Sequence, residues 1–227
     1  MQPFVAQNHD TGRDLVKWLA LITMTIDHVG MILYPQILVL RYIGRLSFPL
    51  FAYLIALGVS STHDLGKYLK RMFGFALISQ LPFTVANGIP IGQKLNIFFT
   101  LSLGIILIYY QDKKNILMVA PLIASIFLPI EYGSYGLATI LFLNIIRRNK
   151  LTGAFLLITL NLLLIPYGIG YQLLSLFSLP IILLHSSGKL KDTHLKIKVP
   201  HSFISKYFFY AYYPSHLMFL TLIKQIV

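Results

Sequence analysis

Asp27 and His28 stand side by side inside LVKWLALITMTIDHVGMILY (15–34), an otherwise apolar run long enough to cross a bilayer once. A charged side chain at the centre of a membrane helix costs about 2.5–3.5 kcal/mol on insertion scales, so such residues are retained for a partner or a task. An imidazole, with an unperturbed pKa of about 6.5, is suited to taking and returning a proton, and a carboxylate to holding a cation or a ring in place. Neighbours on a helix point about 100° apart and do not face each other. Asp27 is therefore expected to pair with Arg45, and His28 to turn its ring nitrogens to a substrate or to another helix.

Arg41 and Arg45 are four residues apart, on one face of the next apolar segment. Arg41, near the end of that segment, is expected to extend to lipid headgroups. Arg45 continues into SFPLFAYLIALG beside Gly44, which favours pairing with Asp27 or with an anionic substrate. His216, two residues after Pro214 in KYFFYAYYPSHLMFL, is a second candidate base. Asn96 in LNIFFTLSLG is either a helix N-cap or a hydrogen-bond donor to a developing oxyanion. Glu131 precedes YGSYG, where Gly133 and Gly136 permit close backbone approach and Tyr135 offers a hydroxyl, although tyrosine at a membrane interface commonly serves as an anchor.

The elements that must position these residues are legible in the composition. The chain has 227 residues, 56% hydrophobic and 11% charged, where a soluble domain carries about 25% charged residues. Apolar runs separated by short polar, Gly- or Pro-containing breaks fill nearly the whole length, which predicts an all-α, polytopic transmembrane helical bundle forming one integral membrane domain over 1–227. Nine spans are expected, with eight to ten compatible: 15–34, 37–60, 68–86, 95–111, 116–130, 134–146, 151–165, 169–185 and 204–226. The fifth and sixth are short. The first is too long for a signal-peptide core and lacks a small-residue cleavage site, so it reads as a retained span.

The net charge of +12 comes in small clusters between apolar runs rather than along one face, which argues against a nucleic-acid partner. Placing the N-terminus in the cytoplasm puts the basic clusters at 13–17, 67–71, 113–114, 147–150 and 189–206 inside and leaves only Arg41, Arg45, Lys94 and Lys224 toward the outside. Asp27, His28, Gln80, Asn96 and His216 then fall in or near the outer half of the bilayer. With 0 cysteines there is no thiol nucleophile, disulfide or thiolate metal site. Phosphate-binding glycine loops, nucleophile elbows and clustered metal ligands are absent, so no metal is expected.

GRDLVKWLALITMTIDHVGMI (12–32), GRLSFPLFAYLIALG (44–58), LNIFFTLSLG (95–104), SYGLATILFL (134–143) and FFYAYYPSHLMFL (208–220) resemble, in order, segments of the TraX family of integral membrane proteins associated with conjugative pili. Asp27, His28, Gly44, Arg45, Asn96, Tyr135, Gly136 and His216 lie in the matching segments, and Arg41 and Glu131 fall where the pattern does not match securely. The resemblance implies a membrane acetyltransferase of the bacterial inner membrane. It would move acetyl from acetyl-CoA, a co-substrate, to the N-terminal amine of a pilin subunit. It assigns no roles; chemistry suggests His28 or His216 as base, Asp27 as a positioning group, and Arg45 and Asn96 as oxyanion or donor-phosphate ligands. The residues alone also fit acylation of an envelope lipid or glycan, a small proton-coupled transporter, or a non-catalytic pilus-assembly protein.

Overall fold

The computed structural model describes residues 10–190 and 207–226, so Lys191, Lys196, Lys198 and Lys206 of the last basic cluster, and the start of the ninth expected span, lie outside the described residues. The described chain is helical. The elements are α1 (Thr11–Ile32), α2 (Leu38–Gly44), α3 (Ser47–Ser61), α4 (Leu65–Asn87), α5 (Ile97–Asp112), α6 (Val119–Phe127), α7 (Gly133–Ile146), α8 (Lys150–Leu162), α9 (Leu179–Ser186) and α10 (Phe208–Ile226). Short 3-10 turns lead into α6 at Ile116–Met118 and into α9 at Gly170–Ser178. Each expected span meets one helical segment, with α2 and α3 forming a single interrupted rod. Three segments, Thr11–Ile32, Leu38–Ser61 and Lys150–Tyr167, are long and apolar enough to cross a membrane.

Polar side chains start several helices where backbone N–H groups would otherwise lack partners. Asp10 accepts from the Arg13 N–H at 3.0 Å to start α1, Asn149 accepts from the Thr152 N–H at 3.0 Å to start α8, and Asp64 accepts from the Lys67 N–H at 2.8 Å to start α4. That backbone bond, and the Lys67 ammonium beside it, hold the loop carboxyl of Asp64 below its ordinary range. Gly88, at φ 64, closes α4 in the left-handed conformation that glycine adopts without strain.

α3, α5 and α7 form the centre, with Leu50, Ile105, Leu107, Ile108, Leu137, Ile140 and Leu143 fully buried among them. α1 lies against α2, α3 and α10, and α10 in turn lies along α4. α7 and α8 make a tight hairpin: a methyl group on Gly153 would come within 2.5 Å of the Ile146 backbone nitrogen. Large apolar side chains stay exposed on the outside, among them Leu77, Ile78 and Leu81 of α4, Ile126 and Phe127 of α6, and Leu151 and Phe155 of α8. Exposed apolar side chains of this kind on several helices suit lipid rather than water.

Candidate functional site: a histidine pair beside an apolar cavity

The helical step in α1 sends Asp27 and His28 to different elements. Asp27 meets the α2 side: its Oδ2 accepts from Arg41 Nη1 at 2.6 Å and its Oδ1 from Arg45 Nη2 at 3.1 Å. Arg41 Nη1 also reaches the Asp27 carbonyl at 3.1 Å. The expectation that Arg41 snorkels to headgroups is thus corrected: Arg41 and Arg45, one helical turn apart, both face α1, against which α2 packs so closely that a Cβ on Gly30 would meet Leu40 Cβ at 2.6 Å. Arg45 is further held by the Arg41 carbonyl at 3.2 Å and lies over the Tyr171 ring at 5.8 Å. Asp27 and Arg45 side chains are only 13% and 12% exposed, and a carboxylate that buried depends on its cations. Gly44 is what admits them, since a Cβ there would land on the Asp27 carboxyl.

His28 faces α10, where its Nδ1 lies 2.6 Å from His216 Nε2. The other His216 nitrogen, Nδ1, is 2.8 Å from the Tyr212 carbonyl. A carbonyl only accepts, so His216 carries its proton on Nδ1 and presents Nε2 as an acceptor. His28 must then donate from Nδ1, and its own Nε2 is left with a lone pair. The hydrogen-bond network therefore fixes both tautomers and leaves the basic nitrogen on His28. The pair is stacked, with ring centroids 4.8 Å apart; Tyr212 stacks on His216 at 4.9 Å, and the Tyr212 hydroxyl is 2.9 Å from Thr25 Oγ1.

His28 lines a cavity of about 70 Å³, together with Asp27, Ser47, Phe48, Glu131, Tyr132 and Tyr213 and a largely apolar remainder. One water needs roughly 10–15 Å³ of such space, so the cavity holds a few waters or a short acyl group. The far wall is built by a pinned turn. Leu95 and Ile130 form an isolated parallel bridge, the Glu131 N–H donates to the Leu95 carbonyl at 2.9 Å, and Thr100 Oγ1 donates to the Glu131 carbonyl at 2.5 Å. Tyr132 then adopts φ 61, a conformation uncommon outside glycine, and stacks on Phe48 at 4.1 Å.

Asn96 is fully buried, and its Nδ2 donates to the Ala76 carbonyl at 2.7 Å and to Gln80 Oε1 at 2.9 Å while its Oδ1 accepts from the Phe98 N–H at 3.0 Å. With both amide hydrogens engaged, Asn96 is the N-cap of α5 and ties α5 to α4, and it has no donor left for an oxyanion. Tyr135 lies outside the cavity, in a buried polar group with Gln172 at 3.0 Å and Asn161 at 3.2 Å. Gly136 lets α7 approach its neighbours, since a Cβ there would meet Tyr132 Cβ at 2.8 Å and Thr100 Cγ2 at 3.0 Å. The structure thus gathers Asp27, His28, Arg41, Arg45 and His216, and sets Asn96, Tyr135 and Gly136 to holding the frame. Tyr132 and Tyr213 carried no signal of a site: one follows an acidic residue in a turn, and the other sits in an aromatic run that resembles an interface belt. Tyr213 is nonetheless only 4% exposed.

These features define a helical membrane protein with a polar centre between α1, α2 and α10. The family model described as TraX protein matches residues 12–224, and the chain belongs to that family. Among curated relatives, a protein of Dichelobacter nodosus named probable fimbrial assembly protein FimC, serogroup H1, is 24% identical over 97% of this chain and 99% of its own length. Protein TraX of Escherichia coli is 28% identical over 60% of this chain and 55% of its own length. An uncharacterised protein of Rickettsia prowazekii is 49% identical over 49 residues, 22% of this chain and 20% of its own. The aligned part is therefore nearly all of the first, about half of the second and a fifth of the third. No solved structure matches the chain.

Proposed function

We propose that the protein is an acetyl-CoA-dependent N-acetyltransferase of the bacterial inner membrane. It acts on the N-terminal amine of a pilin subunit at a site in the outer half of the bilayer. The observation that carries this reading is the His28–His216 pair, which leaves one imidazole nitrogen basic on a residue that lines an acyl-sized cavity. The fimbrial-assembly name of the Dichelobacter relative supports a pilus subunit as acceptor.

In the reaction, the amine nitrogen attacks the thioester carbonyl carbon, the C–N bond forms, and the C–S bond breaks. The amine proton passes to His28 Nε2 and from there to the departing thiolate, giving the amide and free CoA. As His28 gains that proton, its Nδ1–H bond to His216 strengthens, and the Tyr212 carbonyl holds His216 in the orientation that receives it. His216 is thus a positioning residue, in the place a carboxylate takes in a triad. Asp27 keeps two guanidiniums beside the cavity, where they favour the negative charge that develops on the carbonyl oxygen. The cavity takes only the acyl end of the donor, whose nucleotide remains outside it.

The N-terminus is placed in the cytoplasm on the basic clusters, which sets His28, some 17 residues or about 25 Å along α1 from Thr11, in the outer half. Purified protein incubated with acetyl-CoA and a peptide bearing the acceptor's free N-terminus tests the reaction. Acetylated peptide and free CoA should appear in equal amounts, and neither product forming would overturn the reading.

A further inference from the structure

Glu131 is the one carboxylate of the cavity wall that the mechanism leaves unused. Asp27 is bound to two arginines, whereas Glu131 is in no ion pair among the described residues. The Tyr213 ring stands edge-on to His28 at 6.0 Å. Glu131 lines the cavity together with His28 and Tyr213, and its backbone is pinned on both sides through Leu95 and Thr100. Tyr132 and Phe48, stacked at 4.1 Å, and Tyr213 give the same cavity three aromatic walls. A carboxylate with aromatic faces around it is a receptor for a compact cation.

We propose that Glu131 is the residue that selects the acceptor by charge, binding a primary ammonium between its carboxylate and the Tyr132 and Tyr213 rings. The inference rests on the transferase reading above and deepens it. An α-amine, with a pKa of about 7.7–8.0, arrives at neutral pH mostly protonated, and an ammonium entering an apolar cavity needs a counter-charge that an alcohol does not. Before attack the ammonium gives up one proton, through the carboxylate to water. The second proton then follows the His28 route to the sulfur, so that ammonium and thioester become amide, thiol and one released proton.

Glu131→Gln keeps the size of the side chain and removes the charge, and Glu131→Asp keeps the charge on a shorter arm. In the purified full-length protein, E131Q is expected to raise the KM for an amine-terminated peptide about 10- to 100-fold. The KM for acetyl-CoA and the melting temperature stay at wild-type values, and E131D recovers part of the loss. An unchanged peptide KM overturns the proposal, and so does an equal rise in both KM values, which would make Glu131 only a counter-charge to Arg45 and Lys94. Peptide binding measured calorimetrically without donor decides the matter independently of turnover. Wild type should bind the free-amine peptide more tightly than its N-acetylated form, with the preference lost in E131Q; equal binding of both by wild type overturns the proposal. Absence of transfer by wild type, with this binding preference intact, would remove the reaction and leave the ammonium site.

Discussion

With the His216 Nδ1 proton committed to the Tyr212 carbonyl, truncating His216 leaves His28 in the site but frees its ring to rotate and exchange tautomers. His216→Ala is therefore expected to lower kcat about 10- to 100-fold with little change in either KM, as measured by initial rates in detergent. Asp27 carries a different burden. Asp27→Asn leaves Arg41 and Arg45 facing a neutral amide, and loss of one partner from a buried ion cluster costs about 3–5 kcal/mol. Arg41→Ala should cost less, because the Arg41 side chain is 31% exposed and Arg45 still serves the carboxylate. Thermal unfolding of the two variants checks the order; Arg41→Ala proving the more harmful would contradict it.

Among the elements, the tightest constraints come from glycines at helix contacts. Gly153→Ala drives a methyl into the backbone of Ile146 and Phe142, which no side-chain rotation relieves, and should cost about 1–3 kcal/mol and reduce folded yield. Asn96→Ala removes the N-cap of α5 together with its bonds to Ala76 and Gln80, a loss of about 1–3 kcal/mol readable in the melting temperature. The helices themselves were legible in the sequence, since each apolar run between polar breaks became a helical segment. The pairing of α1 with α10 was not, because nothing local ties His28 to a residue 188 positions away. The inward turn of Arg41 was hidden for a related reason: spacing placed it on one helix face with Arg45, but only the packing of α2 against α1 decides what that face meets. Glu131 stood out as a charge beside glycines, yet its role depends on the bridge between Leu95 and Ile130, which only the fold creates.

At the scale of the whole molecule, the proposed orientation sets the two ends of α4 on opposite sides of the membrane. Its 23 residues extend about 35 Å, with His63 exposed before it and Gln93 exposed after it. The chain has 0 cysteines, so single substitutions report cleanly. An impermeant thiol reagent applied to intact cells should label Gln93→Cys and spare His63→Cys until the membrane is opened, and the reverse pattern would invert the proposed orientation. The polar centre and the acyl-sized cavity converge on His28, the member of the pair that lines the cavity. Acetyl transfer to an amine-terminated peptide by folded His28→Ala protein, compared with wild type at saturating acetyl-CoA, measures that convergence most directly. Loss of a general base predicts a fall of about 100-fold or more with the fold retained, and transfer at the wild-type rate would contradict the assignment of His28 as the base.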